Sequence, residues 1–262
     1  MIPSNPSELK GLHLFCNPYS NCAGRVMLAI AEKGIEARIH QVDLLKGEQL
    51  SLKYRAINLT CDLPAIVHDG KPLGDSVTIL KYLEKAFPER SLTPVEPLQE
   101  QEMNEFLELA SKSHMEYIVP WLYAKGFGRL PTPEQKEFYD KYVPHRSKFH
   151  NKRILGQTAK DLRIYEAMMH KDFAMFEKKL SKYNYLIGDS VSLADMAWFP
   201  NVYLLVRVFA MPLSNYPHIS RWLKEMEQRK TFINGVKSYM KPIPFWLLRR
   251  VMKIIRLTGN RK

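Results

Sequence analysis

The chain has 262 residues, 45% of them apolar and 25% charged, with a net charge of +12. That is the balance of a globular protein with a packed core, and it excludes a low-complexity or fibrous chain. Three cysteines without metal-type spacing argue against a disulfide framework, and no apolar run approaches the roughly 18 residues of a membrane span.

The charge is uneven. It is +1 over residues 1–90 and +11 over the rest, and residues 236–262 hold eight basic residues and no acid. Such a half attracts nucleic acid, anionic lipid or acidic substrates, or simply forms a solvated face. Residues 1–10 are polar and lack the apolar core of a secretory leader, so a reducing, cytoplasmic setting is expected.

In chain order, Leu12–Phe15 predicts a short strand. Ala23–Lys33 repeats apolar residues at helical spacing and ends at Gly34, a C-cap signal. Ile35–Leu44 alternates as a second strand, and Glu48–Ile57 predicts a polar helix. Ala65–Val67, the turn His68-Asp69-Gly70-Lys71 and Pro72–Leu73 predict a hairpin, since Asp-Gly suits a tight two-residue turn. Ser76–Phe87 is helical. The order β-α-β-α-β-β-α fits a four-stranded mixed sheet of thioredoxin-like topology.

Pro88–Pro94 then reads as a linker. Beyond it, Gln99–Tyr123, Ala159–Leu180, Ser192–Phe209 and Ile219–Arg229 predict helices and no strand series follows. Lys125–Gln157, rich in Pro, Lys, Arg and His, is long for a loop and is expected as broken helix over the surface. The expected layout is an α/β thioredoxin-like N-terminal domain (10–88), an all-α C-terminal domain (97–240) and a basic amphipathic tail (241–262).

Five segments together resemble the cytosolic glutathione transferase family over nearly the whole chain. They are Ser20-Asn21-Cys22 opening the first helix, Asn58–Ile66 around Leu63-Pro64, Gly74–Glu84 around Asp75-Ser76, the linker, and Tyr185–Asp195. The layout resembles the β-etherase, tetrachlorohydroquinone dehalogenase and maleylacetoacetate isomerase branches. The resemblance implies glutathione as cosubstrate and a hydrophobic, aromatic electrophile as second substrate. It also implies a homodimer, and conjugation, aryl ether cleavage, dehalogenation or isomerisation as the reaction.

It implies site residues as well. Pro64 would be the cis proline that leaves the Leu63 backbone free to pair with a peptide ligand. Asp75 and Ser76 open a helix, where the γ-glutamyl carboxylate and ammonium would fit. Lys46 would meet the glycyl carboxylate, with His40 a weaker choice. Ser192-x-x-Asp195 is a capping box with a structural role.

At the first helix, Ser20 and Cys22 compete, with Asn21 between them. A Ser20 hydroxyl aimed at the glutathione sulfur would stabilise its thiolate and serve conjugation or elimination. A Cys22 thiolate would form mixed disulfides and serve redox or dehalogenating chemistry. Cys16 reads as core. Cys61 replaces the family's glycine and is expected as a second exposed thiol. The electrophile pocket is expected between domains along the helix from Gln99, where Met103, Phe106, His114, Tyr117 and Trp121 are candidates, although residues at that spacing more often form core and they are not counted as site residues.

Pro244–Leu257 predicts a basic amphipathic helix, with Arg249, Arg250, Lys253 and Arg256 on one side and Leu247, Leu248, Val251, Ile254 and Ile255 mostly on the other. It suits peripheral membrane contact or a last helix packed on the second domain. Two other classes stay open: a non-catalytic relative that binds hydrophobic ligands or a membrane, and a basic nucleic-acid or adaptor protein, for which no specific recognition motif exists.

Overall fold

The computed structural model describes residues 2–3, 5–127 and 130–259. Its sheet has the order β2-β1-β3-β4, from β1 (Leu12–Cys16), β2 (Ala37–Gln41), β3 (Ala65–His68) and β4 (Lys71–Gly74). β1 is buried along its whole length, apolar but for His13, because it lies between two strands under covered faces. Leu14 pairs in parallel with Ile39 and antiparallel with Ile66. The crossover from β1 to β2 runs through α1 (Asn21–Lys33), which ends at Gly34 with φ 66°. The β3–β4 turn puts Asp69 at φ 47° and Gly70 at φ 78°, the pair of positive φ values a tight hairpin demands. A Cβ on Gly70 would also lie 2.5 Å from the Ser7 carbonyl oxygen. Leu63–Pro64 is cis, and α3 (Ser76–Ala86) follows the hairpin.

The predicted helix at Glu48–Ile57 shrinks to α2 (Leu52–Arg55). Gly47 at φ 74° and the turns about it take up the rest of that segment. The predicted helix Gln99–Tyr123 is interrupted. α4 (Pro97–Ser113) passes into a π turn, His114–Ile118, before α5 (Val119–Ala124). Pro120 explains this: it has no N–H for a regular i→i−4 bond, and its ring would crowd the carbonyl four residues back. Likewise the helix predicted at Ser192–Phe209 divides into α9 (Leu193–Tyr203), with Pro200 inside it, and a π turn, Leu204–Val208.

The long segment after Lys125 contains α6 (Pro133–Tyr142) and α7 (Pro144–Leu155). α8 (Ala159–Leu180), α10 (Pro217–Gln228), α11 (Lys230–Gly235) and α12 (Phe245–Gly259) complete the helices. Of α12, side chains are described through Val251 and at Ile254, so the expected places of Lys253, Ile255 and Arg256 lie outside the described residues.

α9 is buried nearly all round and forms the centre of the helical domain. Asp195 at its start accepts bonds from Ser192, the Leu186 N–H and the Trp222 indole, so its buried carboxylate is fully engaged. α1 packs directly on α9. Gly24 makes this possible, since a Cβ there would stand 3.1 Å from the Pro200 Cβ. A bidentate pair also ties α1 to the segment between α10 and α11: Arg229 Nε–Glu32 Oε1 at 2.5 Å and Nη2–Oε2 at 2.8 Å.

Candidate functional site

The turn from β1 into α1 brings the first group of residues together. Ser20 is the N-cap, its own N–H bonded to the Asn17 carbonyl at 2.9 Å. Its Oγ accepts the Ala23 N–H at 3.3 Å. The hydroxyl therefore serves as acceptor to the helix and keeps its own proton to donate elsewhere. Asn21 is buried; its Nδ2 donates to Asn201 Oδ1 at 2.5 Å and lies 3.3 Å from His114 Nδ1.

Cys22 Sγ is 3.3 Å from His114 Nε2. Burial pushes the Cys22 thiol up; the nearby Arg25 guanidinium opposes this, and Asp62 and Asp75 add to it. Burial, with Arg25 and Arg146, holds the His114 imidazole well below its usual value. The pair is thus a neutral thiol beside a neutral imidazole.

Arg25 lies one helical turn below Cys22 and is 1% exposed. It donates to Ser76 Oγ at 3.2 Å and to the Ala110 carbonyl at 3.1 Å. Ser76 is buried at the start of α3, whose N-cap Asp75 accepts both the N–H and the hydroxyl of Thr78 at 2.8 Å. The cation below and the helix start above make the Ser76 hydroxyl a suitable place for a carboxylate. The Leu63 N–H and C=O have no hydrogen bond among the described residues, so an extended peptide has an edge to pair with.

Lys46 is placed otherwise. Its side chain is 75% exposed and 3.7 Å from Asp43. His40 is 2.9 Å from His13 and stacks on Phe15. Cys61 is not the exposed thiol expected from the sequence. It is 2% exposed, covered by Tyr139 and Val143, with its thiol pushed up to about 11, mainly by burial. It adopts φ 51°, the left-handed conformation that a glycine takes without strain. Cys16 is fully buried, as expected.

A cavity of about 420 Å³ opens beside Ser20 and Asn21. Its walls come from the β1–α1 turn, from Phe199, Tyr203 and Leu204, and from the chain after α11, including Met240, Phe245 and Leu248. Met103, Phe106, Tyr117 and Trp121 do not line it; they are core side chains, and His114 faces Cys22 instead. This cavity is walled by α9 and the tail rather than by the helix from Gln99. The tail is fixed there by the Lys241 N–H, which donates to Tyr19 Oη at 2.8 Å. Phe245 and Leu248 of α12 face the cavity, while Trp246, Val251 and Ile254 are exposed. Among the described residues no helix is long and apolar enough to cross a membrane.

Sequence reasoning missed Arg25 and Asn201. A signal for Arg25 existed: one cation inside the apolar helix Cys22–Ala31, three residues after Cys22. Asn201 had none, because its role depends on the packing of α9 on α1.

A thioredoxin-like sheet with a cis proline, joined to a helical domain, defines a two-domain class of protein. Comparison with known proteins narrows it. The glutathione S-transferase N-terminal domain pattern matches residues 19–86 and the C-terminal domain pattern residues 136–230. Glutathione S-transferase 1 of Dianthus caryophyllus is 28% identical over 213 residues, 80% of this chain and 85% of that protein. A Drosophila melanogaster protein named "Probable maleylacetoacetate isomerase 1" is 28% identical over 220 residues, 81% of this chain and 76% of the other. The crystal structure of β-etherase LigF from Sphingobium sp. strain SYK-6 superimposes with a TM-score of 0.76 at 26% identity, covering 87% of this chain and 99% of that one. The chain belongs to the glutathione S-transferase family, whose cosubstrate is glutathione.

Proposed function

We propose that the protein activates the glutathione thiol through Ser20 for attack on an apolar aromatic electrophile held in the cavity beside it. The observation that carries this reading is the Ser20 hydroxyl. It lies in the cavity wall, is oriented by the Ala23 N–H and keeps a proton to donate. Glutathione would pair its cysteinyl unit with the Leu63 backbone, set its γ-glutamyl carboxylate on Ser76 above Arg25, and place its ammonium near Asp75. Its sulfur would then sit at the start of α1, where the hydroxyl and the helix N-terminus both favour the thiolate.

In the attack, sulfur bonds to the electrophilic carbon as the bond from that carbon to the leaving group breaks. The electron pair departs with an aryloxide or halide. The wall of Phe199, Tyr203 and Phe245 suits an aromatic body. The likeness to a β-etherase makes aryl ethers the substrates to try first. A homodimer and a cytoplasmic setting belong to the same proposal. The test is turnover of glutathione with a panel of aryl ethers and aryl halides, read as thioether product. Thioether formation lost in Ser20→Ala supports the reading, and glutathione binding without turnover of any member favours a ligand-binding relative.

A second reading has one observation in its favour, the 3.3 Å approach of Cys22 Sγ to His114. It would make Cys22 a redox thiol. The raised thiol and the depressed imidazole both oppose it.

A further inference from the structure

α6 and α7 lie back across the loops of the N-terminal domain. Gln135 closes on Gly47, Tyr139 and Val143 cover Cys61, and the Arg55 guanidinium stands 5.7 Å over the Tyr142 ring. Arg146 Nη1 donates to Asp62 Oδ2 at 2.7 Å. Asp62 directly precedes Leu63–Pro64, so α7 ends its reach one residue from the backbone edge described above.

This contact is poorly satisfied in polar terms. Seven buried side-chain polar atoms have no partner among the described residues, and five lie here: Gln49 Oε1, Arg55 Nε, Arg146 Nε and both ring nitrogens of His150. His150 is 4% exposed and packs 4.2 Å from the Tyr139 ring. Buried polar groups left without partners are costly, and where they cluster they call for an explanation. Meanwhile Lys46, the cation expected to take a carboxylate on this side, stands in solvent beside Asp43.

A peptide held at Ser76 by one carboxylate and at Leu63 by its middle would extend its second carboxylate beyond Leu63, whose neighbour Asp62 carries the Arg146 contact. Arg146 is suited to meet it. With Nη1 on Asp62, the guanidinium still offers its Nε–Nη2 edge, and Nε has no partner. That edge is the bidentate fork that matches a carboxylate. The Arg146 side chain is 21% exposed and its Asp62 partner 32% exposed, so the pair borders solvent while Nε itself is buried.

We propose that the α6–α7 segment completes the glutathione site, with Arg146 as the ligand of the glycyl carboxylate and Gln49 and His150 beside it. The inference rests on the glutathione reading given above and goes beyond it. A segment of the helical domain then governs glutathione affinity, and glutathione binding clamps α7 onto the N-terminal domain.

Calorimetric titration of the full chain with glutathione and with its glycyl monoethyl ester tests this. The wild-type protein is expected to bind the free acid about tenfold or more tighter than the ester, the worth of one charge-assisted pair. Arg146→Ala is expected to reduce that ratio to near one, and Arg146→Lys to restore part of it. Ser76→Ala should weaken both ligands alike, and Lys46→Ala should leave the ratio intact. A wild-type ratio near one, a ratio that survives Arg146→Ala, or a ratio lost in Lys46→Ala overturns the assignment while leaving glutathione binding standing. Absence of binding by either ligand overturns the glutathione reading as well. The wild-type ratio needs no variant, so a failure of Arg146→Ala to fold does not obscure the result.

Discussion

Cys22 Sγ and His114 Nε2 stand 3.3 Å apart at the start of α1, and neither group is charged. Proximity alone would suggest a thiolate–imidazolium pair. Burial decides otherwise, because both ions would lose water and the nearby guanidinium of Arg25 disfavours the imidazolium. The contact instead positions His114, which the π turn brings into line with Asn21 and Cys22.

Thiol reactivity follows from this. All three cysteines have thiols pushed up by burial. At pH 7 the folded protein is expected to react with iodoacetamide about tenfold or more slowly than free glutathione at every site. Peptide mass spectrometry after timed alkylation reads this, and Cys22 labelled at the rate of the free thiol would contradict it.

His150 predicts an acid-side loss of stability. Burial first, then Arg146 and Arg153, lowers its value from 6.5 to about 3. The unfolded chain therefore takes up the proton first. The stabilisation is full above pH 6.5 and is lost as pH falls toward 3. It amounts to at most about 5 kcal/mol. Urea unfolding across that range in the wild type and in His150→Phe should show a shallower acid slope for the variant. Equal slopes would remove His150 from the account.

The α1–α9 contact has little spare room. Gly24→Val puts its branched carbon against Pro200, where even a Cβ would be at 3.1 Å. The expected cost is about 2 kcal/mol or more, read as a lower thermal midpoint. Because α1 carries Ser20, activity per folded molecule should fall too.

Much of this was readable before the structure, where the signals are local. The Asp69-Gly70 hairpin, the Gly34 cap and the Ser192–Asp195 box each depend on a few adjacent residues, and each appears as expected. The misreadings depend on longer range. Cys61 reads as an exposed thiol until α6 covers it. Phe106, Tyr117 and Trp121, candidates for pocket or core alike in the sequence, become core through packing with other elements of the helical domain. The π turn at His114–Ile118 breaks the 3.6-residue period on which the expectation of one continuous helix rested.

The Arg229–Glu32 pair predicts non-additive energetics. Glu32 is 6% exposed in its side chain and Arg229 27%. Arg229→Ala leaves a buried carboxylate with only the Thr231 hydroxyl as side-chain partner and should cost about 3 kcal/mol, whereas the double replacement should cost less than the sum of the single ones. A double-mutant cycle by denaturant unfolding measures the difference.

The tail is predicted to serve the electrophile rather than glutathione. Tyr19 Oη holds the Lys241 N–H, and Phe245 and Leu248 wall the cavity. Removing residues 241–262 should raise KM for an aromatic electrophile about tenfold while glutathione affinity stays within about twofold. An equal loss of both would place the tail in the fold rather than in the pocket.

The central claim is that Ser20, and not Cys22, stabilises the glutathione thiolate. Ultraviolet thiolate absorbance of the glutathione complex, followed against pH, tests it most directly in the wild type, Ser20→Ala and Cys22→Ala. Ionisation well below the free thiol's value of about 8.5 is expected in the wild type and in Cys22→Ala, with its loss in Ser20→Ala alone. Ionisation that survives Ser20→Ala, or that vanishes with Cys22→Ala, would contradict it.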